Sequence, residues 1–405
     1  MIFIWATALV IGILVFVHEL GHYLAARSVG VRVEKFSIGF PPRFFVFTSV
    51  NEGWDITIFF FRFSDGRLSW GPIMNTNVHI KGRKGTGTEY VVALIPLGGY
   101  VKMAGALDES MDTVVTNAPD EFMSKTVPQK LWILSAGVLM NIFTAYILFT
   151  GITYVQGIVE ASEEPIIGEL SPDKPAEIAG LKKGDKIINI NGDEIYKWSD
   201  LQEILQPIPN TKIQIRVQRE EVEVDFSLNT SHMVIPVENG IDTVGVIGIA
   251  PEYHYLPVSF KEAFTYGYIG TINSFGLIML TFQMLGSGQA TLKDLGGPIM
   301  IGQIAGETAK AGWIPLLNFM ALISINLAFL NILPIPGLDG GHIFIILTES
   351  IIRRPLSLKS RLVIQQIGMV FLLALMVTVM FNDCLLYTSD AADERSSVDL
   401  GGRRI

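Results

Sequence analysis

The 405-residue sequence has few charged residues, and this scarcity limits the class of protein it can encode. Lys, Arg, Asp and Glu make up 17% of the residues, whereas 49% are hydrophobic. Soluble domains usually have about 25% charged residues. The composition therefore favours an integral membrane protein with some water-exposed mass. The net charge of -9 gives no reason to expect a nucleic-acid partner.

Cysteine is almost absent. Cys384 is the only one, so the chain can form neither an internal disulfide nor a zinc cluster of thiolates. A metal site would have to use histidines and carboxylates. Six histidines are available: His18, His22, His79, His232, His254 and His342.

The last segment, residues 384–405, is polar, patternless and unlike the apolar stretch before it. It resembles the in-frame translation of a sequencing adapter, which would mean that the gene is truncated near Asp383. A natural disordered tail is the alternative, since such a composition cannot bury a core. We leave the segment out of the fold prediction, as for any appended scar.

Long uncharged stretches dominate the rest of the chain. A membrane-spanning helix needs about 18 or more apolar residues. Five stretches come near or exceed that length: 1–17 (continuing to 26), 131–159, 263–292, 311–338 and 362–382. The 263–292 stretch contains five glycines and several polar residues. We therefore predict that it forms an interfacial helix rather than a span.

The distribution of basic residues predicts the topology. Lys and Arg cluster at both ends of the 28–129 loop and again in 349–361, whereas none occurs between Lys130 and Lys174. By the positive-inside rule, the first two regions are cytoplasmic and the third is external. An odd number of spans must then separate the external segment from 349–361. This predicts four spans, with both chain termini external.

The predicted fold class is a polytopic α-helical membrane protein with an inserted α/β module and a small membrane-associated β-hairpin loop. The predicted segments are 1–27 (first span), 28–129 (cytoplasmic loop with β elements), 130–159 (second span), 160–232 (external module), 233–310 (external linker and interfacial helix), 311–342 (third span), 343–361 (cytoplasmic loop), 362–383 (fourth span) and the 384–405 tail.

The external module has its own sequence pattern. Apolar alternation in 186–190 and 212–217 predicts strands, Asn191-Gly192 predicts a hairpin turn, and 199–205 predicts a short helix. The string Pro-Ala-Glu-Ile-Ala-Gly-Leu-Lys-Lys-Gly-Asp, residues 175–185, resembles a PDZ domain. Such domains bind extended peptides by adding a strand to a sheet edge. We expect Gly168, near the start of this module, to contact the peptide.

The strongest motif is His18-Glu19-Leu20-Gly21-His22, in the second half of the first apolar stretch. On a helix, H-E-x-x-H places two imidazoles on one face, where both can bind one zinc ion with the intervening glutamate as general base. Here the motif lies inside a segment long enough to cross a bilayer. That position suggests proteolysis within the membrane.

A catalytic zinc needs a third protein ligand and an open position for water. Asp339 is the candidate, since it follows a long uncharged run and a carboxylate at that depth is costly unless it is paired or bound to metal. Pro334 and Pro336 break the helix before it and could turn it toward the histidines. His342 is an alternative fourth ligand, but a fourth ligand would close the site, so a structural role is favoured.

Several motifs together resemble the site-two protease family of intramembrane zinc metalloproteases, in particular its bacterial sigma-E-regulating group. They are HELGH, the Gly-Gly-Tyr-Val-Lys-Met of 98–103, the Gly137-x-x-x-Asn141 of the second stretch and the Asn-Ile-Leu-Pro-Ile-Pro-Gly-Leu-Asp-Gly-Gly-His of 331–342. The resemblance covers nearly all of residues 1–383. Two departures from the family pattern are Val138, where proline is common, and a single PDZ-like module where close relatives often have two.

The resemblance implies a zinc enzyme of the bacterial inner membrane that cuts transmembrane helices of other proteins. His18, His22 and Asp339 would bind Zn²⁺, Glu19 would be the base, and Asn141 would lie near the scissile peptide. Substrate contacts are expected at Gly98, Gly99, Tyr100 and Gly137. Anti-sigma factors or leftover signal peptides are the expected substrates. The external module and the bilayer are further expected contacts, with the active site toward the cytoplasmic side.

Two other classes of function are open at this stage. A degenerate protease could act as a membrane scaffold that recruits partners through its PDZ-like module. A metal-ion permease would need polar residues along several helices, and the spans hold few ionisable groups beyond those named.

Overall fold

The computed structural model describes residues 2–64, 67–106, 116, 118–237, 240–291 and 296–401. Side chains are described at all of these except 64, 67, 96, 97, 235–237, 240, 241, 358 and 384–401. The chain forms two compact units. Unit 1 comprises Met1–Ile152 and Phe264–Ile405, and unit 2 comprises Thr153–Ala263.

The described part of unit 1 contains seven long or medium helices and one sheet. The helices are α1 (Ile2–Ser28), α2 (Val127–Gln156), α5 (Phe260–Ser287), α6 (Pro298–Ala311), α7 (Trp313–Ile332), α8 (Asp339–Ile352) and α9 (Leu358–Gly401), of which α8 and α6 are short. The strands are β1 (Val33–Val50), β2 (Gly53–Ser64), β3 (Arg67–His79) and β4 (Glu89–Met103). A single 3₁₀ turn, Phe122–Ser124, precedes α2.

Five of these helices are long and apolar enough to cross a membrane: α1, α2, α5, α7 and the Lys359–Asp383 part of α9. With the sheets and the inserted unit 2, this is the architecture of a polytopic helical membrane protein with an inserted β domain. The predicted count of four spans stays a prediction, because α5 also meets the length and hydropathy of a span. The backbone of α9 continues through the predicted tail to Gly401, and the tail side chains lie outside the described residues.

Helices α1, α2 and α7 form the centre of unit 1. Ala6 and Val10 of α1 share an apolar cluster with Leu316 from the first half of α7, so these two helices run in the same direction. Ala145, late in α2, packs with Ala321, so α2 runs the opposite way. The three helices therefore bring the second half of α1, the first half of α2 and the end of α7 to one level.

The 311–342 region, predicted as one span, forms two helices. Helix α7 ends at Ile332, and α8 begins at Asp339. Proline lacks the N–H that continues a helical ladder, so Pro334 and Pro336 account for the interruption. Much of the predicted 343–361 loop is then helical, because α8 extends to Ile352.

Helix α5 and helix α6 run in opposite senses along this core. Phe264, near the start of α5, contacts Tyr146 late in α2, whereas Phe282 lies 4.9 Å from the ring of Phe329 near the end of α7. Helix α6 ends beside the start of α1, where Lys310 Nζ lies 4.7 Å from the centre of the Phe3 ring. The chain thus runs in α5 from the level of the start of α7 to the level of its end. By the end of α6 it is back at the level of the start of α1.

The sheet of unit 1 has the strand order β3-β2-β1-β4, with all neighbouring strands antiparallel. Strand β4 is the edge strand on the side of α1. Val33, Phe36 and Val101 are buried in a cluster with Ala25 and Ala26 of α1. This contact fixes the edge strand beside the HELGH segment.

Unit 2 is built mainly from short strands. They are β5 (Ile158–Ala161), β6 (Ile167–Leu170), β7 (Lys186–Ile190), β8 (Asp193–Glu194), β9 (Lys212–Arg219), β10 (Val222–Asn229), β11 (Ser231–Val237), β12 (Gly240–Val246), β13 (Ile249–Pro251) and β14 (Tyr253–Leu256), with helices α3 (Pro175–Ile178) and α4 (Trp198–Leu205). One sheet has the order β10-β9-β7-β8, and three strand pairs complete it: β13 with β6, β11 with β12, and β14 with β5.

The core of unit 2 follows the predicted alternation. Ile213, Ile215 and Val217 of β9 point inward and are at most 1% exposed, while the residues between them are exposed. They pack with Ile187 of β7 and Leu201 of α4. The predicted strands 186–190 and 212–217 and the helix 199–205 match the observed elements. The unit continues beyond the predicted end at residue 232, through β11 to β14.

Candidate metal centre

Two imidazoles from α1 face each other in the interior of unit 1. His18 and His22 are one helical turn apart, so both lie on the same face of α1. Their Nε2 atoms are 3.2 Å apart, and both side chains are buried. This matches the arrangement predicted from the H-E-x-x-H spacing.

Asp339, the first residue of α8, completes the cluster. Its Oδ2 lies 3.1 Å from His18 Nε2 and 3.2 Å from His22 Nε2. The three side chains are therefore brought together from helices separated by most of the sequence. Among the described residues, no other group of three His, Cys, Asp or Glu side chains brings its ligand atoms this close.

The spacing of these three atoms fits a tetrahedral zinc ion. Zinc binds imidazole nitrogen and carboxylate oxygen at about 2.05 Å, which places neighbouring ligands about 3.3 Å apart. The three observed distances lie within about 0.2 Å of that edge. In addition, Asp339 Oδ2 is fully enclosed and receives no well-formed hydrogen bond from any described residue. The donor set therefore suits zinc and leaves a fourth position for water or substrate.

The second ring nitrogens of both histidines contact α2. His22 Nδ1 lies 2.8 Å from the carbonyl oxygen of Ile133, to which only a protonated Nδ1 can donate. That hydrogen bond leaves the Nε2 lone pair directed at the metal position. His18 Nδ1 lies 3.3 Å from the amide nitrogen Nδ2 of Asn141, a residue that is completely buried. An Asn141 amide oriented with its oxygen toward His18 would fix that ring in the same way.

Gly137 leaves the space in which the ligands meet. A Cβ atom at this position would lie 2.5 Å from His22 Nε2 and 2.7 Å from His18 Nε2. Gly137 and Asn141 are one turn apart, so the Gly-x-x-x-Asn motif places both against the histidines. The motif therefore lies directly against the metal ligands, and the substrate contact predicted for Gly137 stays a prediction.

Glu19 and part of β4 share a cavity with the metal ligands. The cavity has a volume of about 550 Å³ and is lined by Glu19, Gly99, Tyr100 and Asn141 as well as the three ligands. Gly99 lies against the Glu19 side chain, whose Cγ would be 3.6 Å from a Cβ at this glycine. The predicted base is therefore next to the predicted substrate strand.

The remaining predicted contacts lie elsewhere. Gly98 is in β4 beside the Phe40 ring. Gly168 is in unit 2, within β6, where a Cβ would overlap the carbonyl oxygen of Pro251 in the paired strand β13. One edge of strand β6 is already paired with β13. The peptide contact predicted for Gly168 stays a prediction.

The structure also brings residues into the cavity that no motif pointed to. Arg361 and Gln365 of α9 line its wall, together with Met123 from the 3₁₀ turn. The only sequence signal was a glutamine within a long apolar helix. Nothing in the sequence indicated which side of α9 would face the metal.

Comparison with known proteins gives a consistent result. The profile of peptidase family M50 matches residues 6–77 and 70–375. A protein named as a zinc metalloprotease from Campylobacter jejuni is 34% identical over 387 residues, which cover 93% of this chain and 92% of that protein. A Clostridium perfringens protein that is also named as a zinc metalloprotease is 31% identical. The match covers 92% of this chain and 95% of that protein.

The similarity extends to a protein with a regulatory name. The regulator of sigma-E protease of Escherichia coli is 28% identical, with 94% of this chain and 98% of that protein covered. The ligands, the family match and the helices that carry them agree on one class of protein. The chain belongs to peptidase family M50, and it is a zinc metalloendopeptidase and a site-two protease relative.

Proposed function

We propose that this protein is an intramembrane endopeptidase of a bacterial inner membrane, which cleaves transmembrane segments of single-span proteins in regulated intramembrane proteolysis. The observation that carries the proposal is the convergence of His18 and His22, in the second half of a long apolar helix, with Asp339, which follows another. A water-soluble protease has no need to build its metal centre from such helices. Anti-sigma factors and remnant signal peptides are the substrates we propose.

The depth of the site is inferred from charge and helix direction. His22 lies five residues before Arg27, and Asp339 begins helix α8, which ends at Ile352 just before Arg353 and Arg354. Basic residues mark the cytoplasmic side of a span. The metal centre is therefore proposed to lie within the membrane, toward its cytoplasmic surface.

The number of spans follows from the paths of α5 and α6. If α5 alone crossed the membrane, the basic 349–361 segment would be external, against the positive-inside rule. Because α6 ends beside the start of α1, the chain returns to the side from which α5 began. The pair then adds no net crossing. This supports four spans, α1, α2, α7 and α9, with α5 and α6 as a re-entrant pair between them.

Substrate binding requires local unwinding. A carbonyl in a helix is already hydrogen-bonded, so a transmembrane helix must open before its peptide bond can be attacked. Strand β4 is the edge of the described sheet, and its residues Gly99 and Tyr100 line the cavity. An unwound substrate can pair with such an edge through its main chain. We propose that β4 holds the scissile segment extended beside Glu19.

The chemistry divides between metal and protein. When bound, zinc polarises a substrate carbonyl and lowers the pKa of a coordinated water toward about 7. Glu19 accepts the proton of the attacking water and passes it to the leaving amine. Asn141 orients the His18 ring and offers an amide to the cavity. The enclosed site keeps bulk water away from these groups, which strengthens every electrostatic interaction among them.

We assign the external, PDZ-like role to unit 2. It carries the predicted strand and helix order together with a buried Asp185 at the end of the resembling motif. The proposed role of unit 2 is to bind an extended peptide or to restrict which substrates reach the membrane unit.

The scaffold alternative predicts a damaged site. Here the three ligands have distances suited to zinc, and Glu19 lines the same cavity. A permease would require polar groups along the whole length of several helices, whereas the polar side chains named here surround one cavity beside the metal ligands. Neither alternative accounts for the combination of ligands and base.

The test is cleavage of a model single-span substrate by the purified full-length protein in detergent micelles. We expect cleavage by the wild type, its loss on zinc chelation with recovery on adding zinc, and a decrease of about 10³-fold in Glu19→Gln. The matched control is Glu262→Gln, an exposed glutamate of α5. Cleavage that Glu19→Gln leaves unchanged would remove the proteolytic assignment.

A further inference from the structure

The face of α9 toward the cavity carries two polar side chains in an otherwise apolar helix. Arg361 and Gln365 are one turn apart, so they share a face, and both line the cavity. Farther along the same helix, a Cβ at Gly368 would overlap the Pro336 carbonyl. Following α9 from residue 361 to residue 368 therefore leads from the far end of the cavity to the break before Asp339.

Arg361 lies near the end of β4. Its Nη1 donates to Met123 Sδ at 3.4 Å, and Met123 packs on the cluster that contains Val101 and Met103. Gly99, at the other end of this stretch, lies against Glu19. A strand advances about 3.3 Å per residue. A segment paired with β4 beside Glu19 would thus approach Arg361 roughly four residues from the scissile bond.

The guanidinium of Arg361 is only partly satisfied by protein oxygens. Its Nε and Nη2 donate to the carboxylate of Glu349, at distances between 2.6 and 3.0 Å. The Glu349 pair balances its charge, and both side chains are about 14% exposed. Arg has five N–H donors, and sulfur is a weak acceptor. The Nη1 group can therefore donate hydrogen bonds into the cavity. The ion pair of Arg361 and Glu349 carries no net charge.

Gln365 is more enclosed. It is 8% exposed, lines the cavity, and its amide makes no hydrogen bond to any described residue. Because Gln365 lines the cavity, its amide can pair with a polar group that enters the cavity. An amide both donates and accepts, as does each residue of an extended peptide. A water molecule would satisfy the amide without conferring any selectivity, whereas a peptide would make it a binding group.

We propose that Arg361 and Gln365 bind the main chain of the unwound substrate, on the side of the scissile bond where β4 runs toward Met103. Gln365 exchanges an N–H and a carbonyl with the substrate, and Arg361 donates to a carbonyl about four residues from the cut. The inference rests on the proposed function and names residues that bind the substrate of the enzyme. The occupant is an extended, apolar peptide segment, whose main chain needs partners that lipid does not supply.

The test measures binding apart from turnover. The full-length protein carrying Glu19→Gln is loaded with zinc in detergent micelles and titrated with a fluorescein-labelled peptide of the cleaved model transmembrane segment. Gln365→Leu keeps the size of the side chain and removes its amide. Arg361→Lys keeps a cation for Glu349 and removes the Nη1 donors. Gln366→Leu, on the exposed side of α9, is the matched control.

We expect Gln365→Leu and Arg361→Lys each to weaken peptide binding about tenfold, the effect of one net hydrogen bond. Gln366→Leu should stay within about twofold, and zinc content should equal that of the parent in every variant. Without the Glu19→Gln change, the same two substitutions should raise KM more than they lower kcat, because the contacts are made before the chemical step.

Two outcomes overturn the inference. Peptide affinity within twofold of the parent for both variants would mean that water, not substrate, occupies the polar positions. Loss of zinc from Gln365→Leu would give that residue a structural role instead. Failure of the proposed function is distinguishable, since the parent protein would then neither bind the peptide nor, with Glu19 restored, cleave it.

Discussion

The two units of this protein differ in the kind of side chain that they bury and expose. In unit 2 the buried residues are bulky, such as Ile187, Ile190 and Ile213, all at most 1% exposed. In α1 of unit 1 several bulky residues face outward, with Ile4 and Trp5 more than 70% exposed. Six of the eight buried residues of α1 are small or polar, namely Ala6, His18, Gly21, His22, Ala25 and Ala26; the other two are Val10 and Leu14.

The solvent explains the difference. Water drives apolar side chains into the interior of unit 2. Lipid tails are as apolar as leucine, so they give no such drive, and helices in lipid associate through small residues and polar contacts. Small and polar residues therefore make up most of the buried face of α1, whereas large apolar residues make up most of the core of unit 2.

The largest effect should follow from adding one methyl group inside unit 1. In Gly137→Ala the new Cβ would lie within 2.7 Å of both histidine Nε2 atoms. We expect zinc content to fall below one tenth of wild type and cleavage to decrease at least about 10³-fold. Metal analysis and a cleavage assay on the purified protein measure both.

The matched control is Gly151→Ala in the same helix, where a Cβ meets no atom within 4 Å. It should keep its zinc and its activity. Full zinc occupancy in Gly137→Ala would contradict the close packing of α2 against the ligands, and with it the rule that small residues mark this interior.

Removing bulk from unit 2 should give the next effect. Ile187→Ala deletes methyl groups from a fully buried position in β7 and should destabilise the unit by about 3 kcal/mol. Hydrogen exchange of the β7 and β9 amides in the full-length protein measures this. Val222→Ala, at a 62% exposed position of β10, should change the stability by less than about 0.5 kcal/mol. Equal effects at both positions would contradict a water-driven core.

A buried ion pair tests whether charge behaves in unit 2 as it would in water. Asp185 is 1% exposed and accepts hydrogen bonds from Arg219 Nε and Nη2, each at 2.7 Å. Arg219→Met leaves this carboxylate enclosed without its cation, and removal of one partner from a buried pair is strongly destabilising. We expect amide exchange in β7 to accelerate by roughly 100-fold.

The exposed pair of Arg216 and Asp225 supplies the comparison. Arg216 hydrogen-bonds the Asp225 carboxylate and holds the pKa of that group below its usual value. Both side chains are largely exposed, and such pairs contribute little. Arg216→Met should therefore accelerate exchange only slightly. A larger effect there than in Arg219→Met would reverse the predicted order.

The smallest effect concerns a helix end. Asp200 accepts hydrogen bonds from the backbone N–H groups of Lys197 and Tyr196, and the first of these is the main reason that its pKa is lowered. A carboxylate with a lowered folded-state pKa stabilises the fold above its unfolded pKa of about 3.9, and the contribution is lost as pH falls through the folded value. Asp200→Ala should therefore lower stability at pH 7 but not at pH 2.

Trp198 is the only tryptophan of unit 2, so its fluorotryptophan NMR signal reports unfolding of that unit in the full-length chain. Thermal unfolding of wild type and Asp200→Ala is compared between pH 2 and pH 7, with Asp193→Ala as the control. The two curves should converge at low pH. A constant difference across this range would show that the charge of Asp200 is not what stabilises α4.

Much of unit 2 and of the metal centre could be predicted from the sequence. Alternation in β9 marks its buried residues directly, and the spacing of His18 and His22 fixes their common face. The prolines before Asp339 predicted the break that turns it inward. In each case the information is local, because it depends on residues within one or two turns of each other.

The missing parts depend on contacts between distant segments. The opposite courses of α5 and α6 follow from contacts with Phe329 and Phe3, which no pattern within 263–310 reveals. The face of α9 that carries Gln365 is equally hidden, since the adjacent Gln365 and Gln366 lie on different sides of a mostly apolar segment and no local pattern tells which one faces the cavity. In the region 233–310, strands β13 and β14 pair with β6 and β5, which lie far earlier in the sequence, so no local pattern indicates that they belong to unit 2.

The ligands that meet at the metal lie about 320 residues apart, at positions 18 and 339. At a synthesis rate of roughly 5 to 20 residues per second, about 16 to 64 s separate the appearance of the two. Throughout that interval the nascent helix α1 presents its histidines and Glu19 without the third donor. The first helices can thus enter the membrane as an inert nascent chain, which can cleave peptide bonds only after Asp339 has joined the two histidines.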